Sequence, residues 1–215
     1  MAAVTASATL TPAAPAPTWS KAAGITYVAA WVVGLTAFGA GPPSDATAAE
    51  VAEYFANHSI STTIQSLLIH GVAAVALFAV LRAVRRTETS SRVSHVAGVV
   101  GVALSLTQLA LDGWRSLVAS GSTTKRLVEV IDRVDGFKMF AFAVMIGASV
   151  GALRAAGVIG RRMAIVGVAA TVALVVSGVG YAAAVESLRG IAAISLVLLL
   201  LWVGYLGVAA GRRTV

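Results

Sequence analysis

The chain has 215 residues, 58% of them hydrophobic and only 12% charged, and a mean hydropathy of +0.89. Soluble domains carry about 45–50% apolar and about 25% charged residues, so this chain lacks the charge to cover a water-facing surface; lipid is its natural solvent. A formal net charge of +7 would suit a nucleic-acid binder, but such proteins gather Lys and Arg on one solvated face, and here they cluster at the ends of apolar runs.

Residues 1–20 (MAAVTASATLTPAAPAPTWS) hold no charge and three of the five prolines. They lack the basic start and long apolar core of a cleaved leader, so the segment reads as a disordered cytoplasmic tail preceding a transmembrane domain over 21–215. A hydrocarbon core about 30 Å thick needs roughly 20 apolar residues per helix. Six segments qualify: Ala22–Ala40, Thr62–Leu81, Ser94–Leu111, Phe137–Ala155, Met163–Val185 and Ile191–Ala210. Runs such as ISLVLLLLWVGY (194–205) are apolar on every face, unlike the alternating strands of a barrel. The expected fold is all-α, a polytopic membrane protein of six transmembrane helices.

Two short amphipathic helices are expected at the outer face. Pro42-Pro43-Ser44-Asp45 stops the first span and offers Ser44 or Asp45 as an N-cap. Behind it, Ala46–His58 places Val51, Tyr54 and Phe55 on one stripe, suited to the membrane surface or the bundle mouth. Thr123–Val134 sets Leu127, Val128, Val130, Ile131 and Val134 against Lys125, Glu129, Asp132 and Arg133.

Loop charge sets the orientation, because cytoplasmic loops carry an excess of Lys and Arg. With the N-terminus inside, the inner segments hold ten basic residues against Glu88 alone, a net +9. The outer segments hold six basic against eight acidic residues, a net −2. Both termini are therefore expected in the cytoplasm, in a cell membrane. Dropping one span would collapse the contrast. Spans two, four and six end alike (LRAVRR, LRAAGVIGRR, GVAAGRR), which three stacked hairpins or the orientation rule alone would produce.

Small residues four apart let helices approach closely in lipid. The pattern occurs at Gly147-Gly151-Ala155, Ala97-Gly101-Ser105, Ala169-Ala173-Ser177 and Gly207-Gly211. All prolines lie at or before Pro43, which argues against the broken helices of many transporters, although Gly178 and Gly180 keep that route open.

Ionisable groups inside a membrane are costly and mark functional candidates. His70, Gln108, Asp112, Arg115, Lys138, Tyr181 and Glu186 all fall in the outer half or at the outer interface. One reading is an outward-facing polar pocket. His70, Gln108 and Tyr181 would line its wall, with Asp112, Lys138, Arg115 and Glu186 pairing at the rim, Asp112 with Lys138 first. The other is that His70 and Gln108 bond neighbouring helices while the rim charges snorkel to water. No catalytic, metal or cofactor set is evident: Cys is absent, His58, His70 and His95 sit at different depths, and no H-E-x-x-H or Ser/His/Asp set shares a depth.

Arg-over-Lys usage with heavy Ala, Val and Gly is that of a high-GC bacterial genome. A first span, the acidic loop PPSDATAAEVAEYFANH and a second span ending LRAVRR together resemble bacterial integral membrane proteins grouped as domains of unknown function. The resemblance implies size and topology and lends no activity, cofactor or catalytic residue. The sequence thus points away from an enzyme and from nucleic acid. It suggests an accessory or interaction subunit that binds a membrane protein or a second copy of itself, or else a small-molecule transporter or receptor built around His70.

Overall fold

A computed structural model describes residues 19–38, 41–42, 46–86, 91–117 and 121–210. Six of its helices are long and apolar enough to cross a membrane. The first span is α1 (Trp19–Phe38), followed by the short connector α2 (Ala48–Asn57). The second runs through α3 (Ser59–Ser66), a π-helical turn (Leu67–Val72) and α4 (Ala73–Arg86). Spans three to five are α5 (Arg92–Leu117), α6 (Gly121–Ala155) and α7 (Arg161–Ala182). The sixth is α9 (Ala192–Ala210), entered through the single turn α8 (Glu186–Arg189). No strand occurs among the described residues.

The spans form a ring in chain order, closed by α1 against α9, with α4 also touching α9 across the centre. Small residues set the closest approaches. A Cβ on Gly207 would lie 2.7 Å from the Gly24 Cα, and one on Gly136 would lie 2.6 Å from the Ala182 nitrogen. Gly101 accommodates the Phe142 ring and Gly167 the Trp202 indole. Trp202, Tyr27, Leu77, Ile146 and Leu153 fill the centre with almost no exposure. Outside, Val32, Val100, Val144, Val168, Val172 and Leu201 are all well exposed. A water-soluble bundle would place such residues inward. Here they meet lipid.

The ends of the helices differ from the sequence reading in instructive ways. The Thr123–Val134 segment is helical but not separate: α6 runs unbroken for 35 residues, with Gly136 packed tightly onto α7. The extension of α5 to Leu117 likewise carries Asp112, Trp114 and Arg115 inside a helix. Ser44 and Asp45 lie outside the described residues, and α2 is capped by Thr47. Its hydroxyl accepts the Glu50 N–H while the Glu50 carboxylate accepts the Thr47 N–H, a reciprocal capping box. The Thr47 N–H first, and then the Thr47 hydroxyl, which donates to the same carboxylate at 2.8 Å, hold the Glu50 carboxyl below its ordinary range. Val51 of α2 is buried, so its apolar stripe covers the bundle mouth. Of the expected tail, residues 1–18 are not among those described, whereas Trp19 and Ser20 already belong to α1.

The turns after α6 and α7 close by the same device. After α6, the Val158 N–H reaches Leu153 O at 2.8 Å and Gly157 N–H reaches Arg154 O at 2.9 Å, with Gly157 at φ 65°. After α7, Val185 N–H reaches Gly180 O at 2.8 Å, but the left-handed position is held by Ala184 at φ 56°. Glycine is the usual occupant there, and a side chain in this region costs about 1–2 kcal/mol. The α7 helix continues through Gly178 and Gly180, so neither breaks it.

Candidate functional site

The polar residues singled out from the sequence do gather at one end of the bundle, in two clusters rather than one pocket. The inner cluster joins α5 and α6. Lys138, almost fully buried, pairs with Asp135 one turn earlier on α6, Nζ to Oδ1 at 2.5 Å. It also donates to Gln108 Oε1 at 2.5 Å. The Gln108 amide in turn donates to Asp135 Oδ1 at 3.1 Å and to the Ile131 carbonyl at 3.3 Å. The ammonium lies 5.8 Å from the centre of the Trp31 ring, and Trp31 meets His70 edge-on at 6.5 Å.

His70 sits on the π-helical turn, half-buried, with its Nδ1 enclosed and without a hydrogen-bond partner. Such turns admit one extra residue per turn and re-phase the helix about them. Before the turn, Ser66 is thereby aimed at α5, where its hydroxyl donates to Asp112 Oδ2 at 2.6 Å. After it, Leu77 and Val80 face the core.

The expected pair of Asp112 with Lys138 is not made. Each finds a partner on its own helix three residues away: Asp112 bonds Arg115 at 2.9 Å and Lys138 bonds Asp135. An i,i+3 partner is already within reach before any tertiary contact forms, so it wins over a charge on another helix. The Arg115 guanidinium then lies over the Phe55 ring of α2, 3.7 Å from the ring centre, which ties the connector to the bundle.

The outer cluster borders an open cleft of about 910 Å³ between α2, α6 and the α7–α8 turn. Arg115, Tyr181 and Glu186 line it; His70, Gln108 and Lys138 are not among its lining residues. Arg189 bridges Asp132 at 3.1 Å, approaches Glu186 at 3.8 Å, and has its guanidinium 5.1 Å from the Tyr181 ring centre. Lys125 donates to the Ala46 carbonyl at 2.9 Å. The left-handed Ala184 stands on the cleft wall. Among the described residues, no group of three or more His, Asp or Glu side chains is placed to hold a metal ion.

Asp135, Arg189, Ser66 and Trp31 are the residues that sequence reasoning misses, and it places Asp132 only on the polar face of an outer helix. A fourth span that begins at Phe137 leaves Asp135 as loop charge. An acid three residues before a base at a span's edge is the signal that would have found the Asp135–Lys138 pair. Nothing in the sequence marks Trp31 or Ser66.

No family model matches this chain, and no curated protein or solved structure matches it.

Removing one partner of a buried pair strands the other charge, which costs about 3–5 kcal/mol. Lys138→Ala should lower the unfolding free energy in mixed micelles by that amount, and Lys138→Met with Asp135→Asn should recover most of it. An unaltered midpoint for Lys138→Ala would show that the pair contributes nothing to the fold.

Proposed function

We propose that the chain is a non-catalytic plasma-membrane subunit that works by assembly, offering one face of α6 to a transmembrane helix of a partner protein or of a second copy. The observation that carries this is how the small-residue seams are used. Ala97-Gly101-Ser105 is taken up between α5 and α6, where a Cβ on Gly101 would run into Phe142. Of Ala169-Ala173-Ser177, Ala169 is exposed while Ala173 and Ser177 are buried, with the Ser177 hydroxyl donating to Ser195 of α9 at 3.0 Å. Gly207 is pressed onto Gly24.

Gly147-Gly151-Ala155 differs. All three residues are exposed; a Cβ on Gly147 would touch the Thr171 side chain of α7 at 3.3 Å, whereas one on Gly151 would meet nothing within 4 Å. A smooth, small-residue face on a lipid-exposed helix is what allows another helix to approach closely enough for van der Waals packing. The polar clusters support the same reading, because Lys138, Asp112 and Arg189 all spend their charges on partners within the chain.

A second reading rests on the cleft. Its charged rim and the left-handed Ala184 on its wall suit a receptor or carrier for a small polar molecule, since strained backbone tends to be retained where function requires it. The filled centre beneath, closed by Trp202 and Ile146, favours binding over passage.

The charge asymmetry supports cytoplasmic termini in a bacterial plasma membrane, as does the resemblance to high-GC membrane proteins. On that orientation the cleft opens outside the cell. The cysteine-free background permits a direct test. An impermeant maleimide should modify Glu53→Cys in intact cells and reach Arg85→Cys only after lysis; the reverse pattern would invert the topology.

For assembly, Gly151→Cys in native membranes should form an oxidative cross-link to a neighbouring helix. Gly151→Leu should leave the fold intact while weakening association on the order of tenfold. Absence of any conjugate at Gly151, with an unchanged sedimentation profile for Gly151→Leu, would rule the α6 interface out.

A further inference from the structure

At the arginine-rich end of the bundle, an apolar groove of about 900 Å³ opens between α1, α7 and α9. Val28, Met163, Val166, Leu201, Gly204 and Tyr205 form its walls. Along α9 the lining runs from Val197 to Ala209, about 18 Å at 1.5 Å per residue. Half of a hydrocarbon core is about 15 Å, so the groove has the depth of one leaflet. Its mouth is shaped by the α6–α7 turn, where the Tyr205 hydroxyl donates to the Val158 carbonyl at 3.3 Å.

Basic residues stand in register above the groove on two of its three helices. Arg162 precedes Val166 by four residues and is exposed, so it lies on the groove face one turn nearer the end of α7. Side chains on a helix lean toward its N-terminus, which carries the guanidinium outward to the headgroup level. Lys21 precedes Val28 by seven residues, two turns along the same stripe of α1, and is also exposed. Neither forms an ion pair among the described residues. Arg161, also exposed, adds a third positive charge beside them.

We propose that this groove holds one anionic phospholipid, its acyl chains along α9 and its phosphate between Lys21 and Arg162. The two parts of the site match the two parts of such a lipid. An apolar channel one leaflet deep takes the chains, and cations with no ion-pair partner among the described residues take the headgroup charge at its mouth. A soluble anion would gain nothing from the channel, and a zwitterionic lipid would gain little from the cations. The lipid in turn gives the two basic groups an anionic partner that the described residues do not supply, and it fills the hollow between α1 and α7 that the described side chains leave open. This inference is independent of the assembly face on α6.

Native mass spectrometry of the detergent-purified, delipidated chain, titrated in parallel with phosphatidylglycerol and phosphatidylcholine, tests it. The wild type should retain phosphatidylglycerol on the order of tenfold more strongly, as expected for two basic groups near an anionic headgroup. Lys21→Gln with Arg162→Gln should abolish that preference. Leu201→Trp, at a lipid-exposed position where added bulk leaves the core intact, should weaken retention of both lipids. Arg162→Gln alone serves if the double variant fails to fold. Equal retention of the two lipids by the wild type, or an undiminished preference in the glutamine variants, overturns the proposal.

Discussion

A charge surrounded by hydrocarbon must find its partner inside the protein, and this constraint organises the chain. Hydrocarbon offers no competing hydrogen bonds and screens little, so each buried ionic group needs a stoichiometric partner at contact distance. Lys138 has Asp135 and Gln108, and the rule extends to the outer end of the bundle, where Asp112 has Arg115 and Ser66, and Arg189 has Asp132. The same medium removes the hydrophobic drive between helices, leaving close packing to hold them together. That is why the tight contacts fall at Gly24, Gly101, Gly136, Gly167 and Gly207, and why bulky valines point outward.

The two rules meet at α6. Its first half is polar enough to project Asp132, Asp135 and Lys138 toward α5 and the α8 turn, where they pin three elements together. Its second half is smooth, with Phe142 and Ile146 turned into the core, Gly147 beside Thr171 of α7 and Gly151 turned out. One continuous helix therefore carries both the internal lock and the outward face, and α7 is held to it by the glycine contact at Gly136.

The number and type of helices were legible in the sequence because hydropathy over about 20 residues is a collective signal that no single residue can spoil. Chain pairing inside the polar region was not. Helix ends were drawn where apolarity faded, at Leu111 and Phe137, yet α5 continues to Leu117 and α6 begins at Gly121, since polar residues extend a helix at no cost once it leaves the hydrocarbon. Drawing the ends too early hid the i,i+3 geometry of Asp135 with Lys138. It also left Asp112 free to be matched with the wrong lysine. The small-residue seams were visible as spacings, but only packing separates those consumed within the chain from the one left open at Gly151. The π-helical turn at His70 has no local signature, because it arises from fitting Ser66 to α5 and Leu77 to the core along one helix.

Everything rests on hydrocarbon surrounding the exposed valines and leucines. Single cysteines at Val172 and Leu201, both more than half exposed on the bundle's flank, compared with one at Glu53 in α2, measure this directly in reconstituted vesicles. A small water-soluble maleimide should label Glu53→Cys within minutes and leave Val172→Cys and Leu201→Cys unmodified until the protein is unfolded. Equal labelling of all three in intact vesicles would mean that water bathes those surfaces, and the account of the fold would not stand.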